Sequence, residues 1–522
     1  QLKDPEQVSD HLISAFELHC QPIVLNKDSV EKTRQGLQNL PDTLLAYVIL
    51  NSYPQSQSFD PSLDQDVTAS IHIPNLYTAK NFDWVINTGI SNAISDMTRE
   101  NWVLGNYVRV ISDKSGIDRT YREIKQLYLS DYVNWWKLAI NNCTPQMFTS
   151  LQQAIATLNN FSSPDSMTQV ILKTVLQNTD ASLISESNKD DFKNNISTKF
   201  ISVDQLLDGM NQAQLRSAIT ELQTNLTKIS NSSNQANAAF VFAKAITENP
   251  EQEDPIKQVL QQAQQVSPLL QDWLQKLAMN SLAVVLREAH DYINQQWNDA
   301  VLVQYNAKIK SRYPIDKTAN QDIELDDFTA FFSPDGILDN FFRNYLSPFV
   351  DTRQANWQAI KLYGLDLFSE NTLHQFERAA IIQKMFFPDH SNKLSVVFAL
   401  QQLLIGPAIQ NISLDMNNQS FSDTPDQTKL NKLIWPGSEK NATTTLLFTD
   451  TQGQQYKSEG SGPWGLFKLI DTAKIKTLDD TQHFLLTFDL DGNAAKYELI
   501  AKNPINPFIP GVVDQFSAPE NL

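Results

Sequence analysis

At 522 residues the chain is too long for one ordinary core, and roughly two to four domains are expected. Its formal net charge of −18 argues against nucleic acid, because neutralising phosphates takes clustered Lys and Arg, and equally disfavours docking on anionic lipid heads. A hydrophobic content of 41% suits a folded soluble protein, and no run reaches the roughly 18 apolar residues that a membrane helix needs.

No Lys/Arg-led signal peptide opens the sequence, which starts at Gln1 and reads as helix almost at once through His11, Ala15 and Leu18. We therefore expect a piece of a longer protein, with any anchor upstream. Ser9 to Leu50 reads as a helical hairpin, broken at Gln21-Pro22 and again near Pro41. A loop follows around Pro54 and Pro61, and helices resume at Phe82. From Ile117 to Asn141 two adjacent faces are apolar. Tyr128, Tyr132, Trp135 and Ala139 form one; Leu129, Val133, Trp136 and Ile140 form the other. So wide an arc belongs between other helices, and we read its aromatic rings as core packing rather than a ligand box.

Ser163-Pro164 reads as a helix start, with Ser as N-cap and Pro at the first helical position. Asp180 to Asn195 is polar and rich in Ser and Asn, and reads as a linker. A second helical region runs to Arg312. Its last helix is paced by Leu269, Trp273, Leu277, Leu282, Leu286, His290, Ile293 and Trp297 and stops at Tyr313-Pro314. We read His290 as an interior histidine, not a metal ligand. Between Ile323 and Val350, Gly336 separates two short helices. The acidic pairs there lack calcium-loop spacing and read as caps and solvated faces.

Leu373, Phe376, Ala379, Ile382 and Phe386 line one helix face, and Pro388 ends that helix. From Leu394 the period drops to two: Leu394, Val396, Phe398 and Leu400 point one way and Ser395, Val397, Ala399 and Gln401 the other. Further strands are expected at Ile412–Met416, Thr443–Phe448, Gln454–Lys457, His483–Leu490 and Ala494–Ala501. Asp491-Gly492 joins the last two as a tight hairpin. One short helix near Pro463 carries Trp464, Phe467, Leu469 and Ile470. The expected fold class is α+β, with multi-helix domains followed by a C-terminal antiparallel β-sandwich carrying a short helix. Expected domains are 1–180 (helical), 181–312 (helical, ending in a long helix), 313–390 (helical connector) and 391–522 (β-sandwich).

We find no catalytic constellation, cofactor motif or metal-ligand spacing. Phosphate-loop, dinucleotide-turn, zinc-helix and nucleophile-elbow patterns are missing. Ser29-Val30-Glu31-Lys32 matches S-x-x-K spacing, but its companion motifs are absent. Asp489-Leu490-Asp491 is explained by hairpin-turn chemistry. Cys20 and Cys143 read as two buried small side chains, and nothing in their spacing pairs them.

The ordered set of short motifs resembles the region after the last membrane helix of the IcmF/TssM family, large inner-membrane proteins of bacterial secretion systems. It begins with Ile73-Pro74-Asn75-Leu76-Tyr77-Thr78, Trp102-Val103-Leu104-Gly105, Asp131-Tyr132 and Ser163-Pro164. Arg312-Tyr313-Pro314, Asp327-Phe328, Phe331-Phe332, Phe341-Phe342 and Phe376 to Phe387 follow. Trp435-Pro436-Gly437, Gly462-Pro463-Trp464-Gly465-Leu466-Phe467 and Asn506-Pro507-Phe508 close it. Gly465 stands where Ala is usual and Lys468 where Arg is usual, so both the type VI and the type IVB (Dot/Icm) branches stay open.

The resemblance implies a periplasmic scaffold, not an enzyme, anchored in the inner membrane by segments outside this chain. Its partners would be a DotU/TssL-type inner-membrane protein, a TssJ-like outer-membrane lipoprotein in the type VI branch, and further copies of itself. Trp435, Pro436, Trp464, Phe467 and Phe508 are the candidate site, either as β-domain core or as a partner surface, where Trp is a frequent hot spot. We favour core for the two tryptophans. Two rivals are weighed: a periplasmic enzyme acting on cell wall with scattered acidic catalysts, and a binding module for a small ligand.

Overall fold

The computed structural model describes residues 26–38, 40–54, 73–99, 114–249, 254–354, 356–388, 391–416, 418–425, 428–437 and 443–522. The expected break at Gln21-Pro22, the motif Trp102–Gly105, and Cys20, His11 and Pro61 lie outside them. The chain divides into two compact units. The first comprises 1–146, 156–221 and 259–276, the second 147–155, 222–258 and 277–522. The fold is α+β, with helices leading into an antiparallel β region that carries one short helix.

In the first unit the helix Lys114–Asn142 is the organising element. Tyr128, Tyr132 and Trp136 recur at every fourth position, so they share one face, and all three are buried. Phe82 and Phe192 pack edge-on against Tyr132 at 6.2 and 5.8 Å. Each polar tip reaches a backbone carbonyl. Tyr128 donates to Leu76 (2.9 Å), Tyr132 to Asn178 (2.6 Å) and Trp136 Nε1 to Tyr77 (2.8 Å). The motif around Tyr77 thus supplies acceptors as well as apolar surface.

Two sequence expectations change here. The polar stretch after Asp180 is no linker: it holds a helix from Glu186 to Asn195. The helix's one large apolar residue, Phe192, is fully buried, and Asp83 anchors the helix start by accepting from Ser185 N (2.8 Å) and Asn188 Nδ2 (2.6 Å). A single anchor ring and one carboxylate thus hold a segment whose composition is loop-like. The other change is a helix start. The helix begins at Met167, and Ser166 is its N-cap, accepting from Gln169 N; Ser163-Pro164 precedes it as a turn.

In the second unit the remainder of the helix Pro268–Trp297 leads to short helices at Leu325–Phe332 and Ile337–Phe341, with Gly336 between them. A two-stranded ribbon, β1 (Val350–Asp351) and β2 (Gln358–Ala359), precedes the helix Glu370–Phe386. Ser369 caps that helix, and its expected stripe is buried.

The sandwich follows, built from β3 (Val396–Ile405), β4 (Ile409–Met416), β5 (Gln419–Asp423), β6 (Leu430–Trp435), β7 (Thr444–Asp450) and β8 (Gln455–Gly460). After the helix Gly465–Thr472 come β9 (Lys474–Thr477), β10 (His483–Leu490) and β11 (Asn493–Ala501). One sheet has the order β6-β3-β11-β10-β9, the other β5-β4-β7-β8, all antiparallel. Their inner faces alternate as the sequence pattern requires: Val396, Phe398 and Leu400 of β3 and Ile412, Leu414 and Met416 of β4 are buried. Asp423 crosses between the sheets, fully buried, accepting from Tyr497 Oη (3.2 Å) and Asn431 Nδ2 (3.1 Å). The segment after β11 then returns to the helices. Pro519 accepts from Trp297 Nε1 (2.8 Å), Gln515 accepts from Arg378 (2.6 Å), and Leu522 N donates to Asn294 (2.8 Å).

Candidate functional site

The site is the junction of the sandwich with the helical connector inside the second unit. Trp435 ends β6, Trp464 precedes the Gly465–Thr472 helix, and Phe467 lies on that helix. Trp435 and Trp464 are 1% and 0% exposed, and their rings lie 4.9 Å apart. Phe467 stands edge-on to Trp435 at 4.9 Å and stacks on Phe508 at 5.9 Å. The connector contributes Phe328, 5.0 Å from Trp464, and Phe386, 5.7 Å from it. Both indoles are satisfied: Trp464 Nε1 donates to Ile323 O (2.6 Å) and Trp435 Nε1 to Pro463 O (3.3 Å). Trp464 thus bonds a carbonyl 141 residues earlier in the chain. Pro436, on a cis bond after Trp435, is half-buried, and Phe508 is buried. The structure therefore brings Trp435, Trp464, Phe467 and Phe508 into one cluster, with Pro436 next to it in the chain.

Charge frames this cluster. Lys468 Nζ lies 2.8 Å from Asp322 Oδ2. Asp471 accepts from Tyr313 Oη (2.7 Å) and Lys317 Nζ (2.8 Å). Burial, and then the Asp471 carboxylate, push the Tyr313 hydroxyl far above its ordinary range, so it is a fixed donor. Asp322, Lys468, Asp471, Tyr313, Phe328 and Phe386 were not singled out as site residues by the sequence. Tyr313, Phe328, Phe386 and Lys468 had a signal in the motifs Arg312-Tyr313-Pro314, Asp327-Phe328 and Phe376 to Phe387 and in the unusual Lys468, whereas Asp322 and Asp471 had none. Gly465 also has a local cause. A Cβ there would run into the Gly460 carbonyl, and one at Gly460 would run into the Gly465 carbonyl. The end of β8 and the start of the helix touch backbone to backbone.

The cleft beside the cluster, bordered by Tyr313, Lys317, Asp471 and Phe508, has a volume of about 70 Å³. Pockets for drug-sized ligands run to several hundred. Among the described residues no group of three His, Cys, Asp or Glu side chains is placed to hold a metal, and no helix is long and apolar enough to cross a membrane. Of the other motifs, Ser29 and Lys32 are exposed, Asp489 accepts from Gly492 N in the β10–β11 turn (2.9 Å), and the Cys143 thiol is buried and pushed up to about 12. His290 is half-buried, with Nε2 2.9 Å from the Leu522 carbonyl oxygen. At the junction, rings fill the space between sheet and helices, and the Lys468–Asp322 and Lys317–Asp471 ion pairs lie at its edge.

Three family profiles match in chain order. Residues 1–180 match the IcmF-related family (intracellular multiplication and human macrophage-killing), 288–391 the type VI secretion protein IcmF helical domain, and 398–503 the type VI secretion protein IcmF C2-like domain. The chain belongs to the IcmF/TssM family. It is 24% identical to the type VI secretion system component TssM1 of Pseudomonas aeruginosa over 99% of this chain and 52% of that protein, so it spans about half the length of this curated relative. Its fold is similar to a chain of a type VI secretion system membrane core complex, with a TM-score of 0.57 and 15% identity, covering 92% of this chain and 99% of that one. A chain of a type VI membrane complex gives 0.56 and 16%, covering 93% of each. Within this family, the junction joins the parts matching the IcmF helical and C2-like domains.

Proposed function

We propose that this IcmF/TssM chain is the periplasmic part of an inner-membrane protein, and that it acts as a structural scaffold in a type VI secretion membrane complex supporting effector translocation. The ordered match to the family, with the two type VI profiles meeting at the junction, carries this reading. Segments outside the chain would anchor it. A DotU/TssL-like inner-membrane protein and a TssJ-like outer-membrane lipoprotein would be its partners, together with further copies of itself. In this reading no step is catalytic. Residues 391–522 act as one body, which the connector 313–390 holds through Trp464 and Ile323.

Crosslinking in native cells, purification of the full-length protein and mass spectrometry of what co-purifies test this. Recovery of a DotU/TssL-like protein and a TssJ-like lipoprotein is the expected result. If the protein comes down alone, and the purified chain instead turns over cell-wall fragments, the scaffold reading fails.

A further inference from the structure

The two outer faces of the sandwich differ in charge and polarity, and the net charge of the chain hides it. On the β5-β4-β7-β8 sheet the outward positions are mostly uncharged, such as Ser413, Thr445, Leu447 and Thr449; Asp415 adds an acid, and Lys457 there is paired with Glu459. On the β6-β3-β11-β10-β9 sheet the outward rows carry lysines. Register places Leu404, Lys496, Thr487 and Lys474 in one row, and Leu430, Gln401, Glu498, Leu485 and Lys476 in the next. Lys432 lies in a third. These lysines are all exposed, and Lys474, Lys476 and Lys496 reach no carboxylate among the described residues. Glu498 is matched by His483 at 2.7 Å, and Asp489 is held at the hairpin tip by Gly492 N. At the β3–β6 side of the same face Leu403, Leu404, Leu430 and Ile434 are each about half exposed (50, 55, 50 and 49%).

We propose that this face docks on a membrane surface bearing anionic phospholipid headgroups, with the lysines at the phosphates and the leucines at the headgroup–acyl boundary. Charge complementarity selects the occupant. The unpaired ammonium groups of β9 and β11 attract an anionic leaflet, and the exposed apolar side chains toward the other edge, on β3 and β6, gain by entering it. An acidic protein surface would match the lysines but leave those leucines against carboxylates. Acidic residues more than about 8 Å away are largely screened at physiological salt, and of the nearer carboxylates Asp479 and Asp480 act on His483 at the edge of the face.

Co-sedimentation of the 522-residue chain with vesicles tests it. Vesicles of phosphatidylethanolamine with phosphatidylglycerol should bind, more weakly at high salt, and phosphatidylcholine vesicles should not. The triple variant Lys474→Glu, Lys476→Glu, Lys496→Glu should weaken binding on the order of a hundredfold, at about fivefold per lysine. Lys457→Glu, on the opposite sheet, should leave it unchanged. Leu404→Ser with Leu430→Ser should weaken it without altering charge, and serves as the second variant should the triple change disturb folding. Equal binding of wild type and both variants, or no binding to either vesicle, overturns the proposal. Binding to polyglutamate without binding to vesicles also overturns it, in favour of an acidic protein partner.

Discussion

Two of the protein's aromatic clusters are made differently. The one in the first unit is strung along a single helix, where Tyr128, Tyr132 and Trp136 follow one another at helical spacing and hand their polar tips to carbonyls of Leu76, Asn178 and Tyr77. The junction cluster in the second unit is drawn from separate segments: Phe328, Phe386, Trp435, Trp464, Phe467 and Phe508. The first exists in outline as soon as its helix forms. The second exists only once sheet and connector have met. A lesion in the first should therefore loosen one helix face, whereas a lesion in the second should uncouple two bodies.

The largest test is Trp464→Ala. Deleting a fully buried indole should cost about 3–5 kcal/mol, and the Ile323 carbonyl loses its donor. Chemical denaturation followed by limited proteolysis should show the sandwich released before the connector helices unfold. One cooperative transition with no early cleavage near the junction would break the contrast between the clusters. Gly465→Ala comes next, at about 1–3 kcal/mol for overpacking, because the Gly460 carbonyl occupies the space that a Cβ needs. Thermal melts of this variant should also show the junction opening first. Wild-type stability would mean that β8 and the helix can separate freely. Tyr132→Phe is smaller, about 1 kcal/mol for one hydrogen bond to Asn178, and should lower stability without splitting the transition.

Much of this contrast was legible in the sequence, for a physical reason. Periodicity reports which face of an element is buried, so the Tyr128 helix, the Phe376 helix, and the β3, β10 and β11 strands could be read directly. It does not report what the face is buried against. The motif resemblance grouped Trp435, Trp464 and Phe508, but not the Ile323 carbonyl that satisfies Trp464, since backbone acceptors leave no trace in residue identity. Strands β5, β6 and β9 were not read either. β5 and β9 are short edge strands with few apolar residues, and β6 buries only Leu433 and Trp435. The helix after Asp180 was missed because its fixity comes from Asp83, about a hundred residues away, rather than from its own composition. Gly465 and Lys468 stood out as departures from the family pattern. For Gly465 the cause is a backbone contact with Gly460, and for Lys468 the structure shows its partner, Asp322.

The smallest effect belongs to a pair outside both clusters. His483 on β10 reaches diagonally to Glu498 on β11 at 2.7 Å, and the hydrogen bond that its ring donates to the Glu498 carboxylate raises the imidazole above its ordinary value near 6.5. A raised folded-state value means that the pair's contribution is fully present below the unfolded value and is lost as pH rises through the folded one. Water screens a pair this exposed, so the melting temperature should fall only slightly over that window, and Glu498→Gln should flatten the dependence. NMR titration of the imidazole should show the raised value in the wild type and its return toward 6.5 in the variant. An unshifted wild-type titration would mean that the cross-strand pair does not persist in solution. A large fall in melting temperature over the same window would place the titrating group at a buried contact, and would end the distinction drawn here between surface pairs and the two clusters.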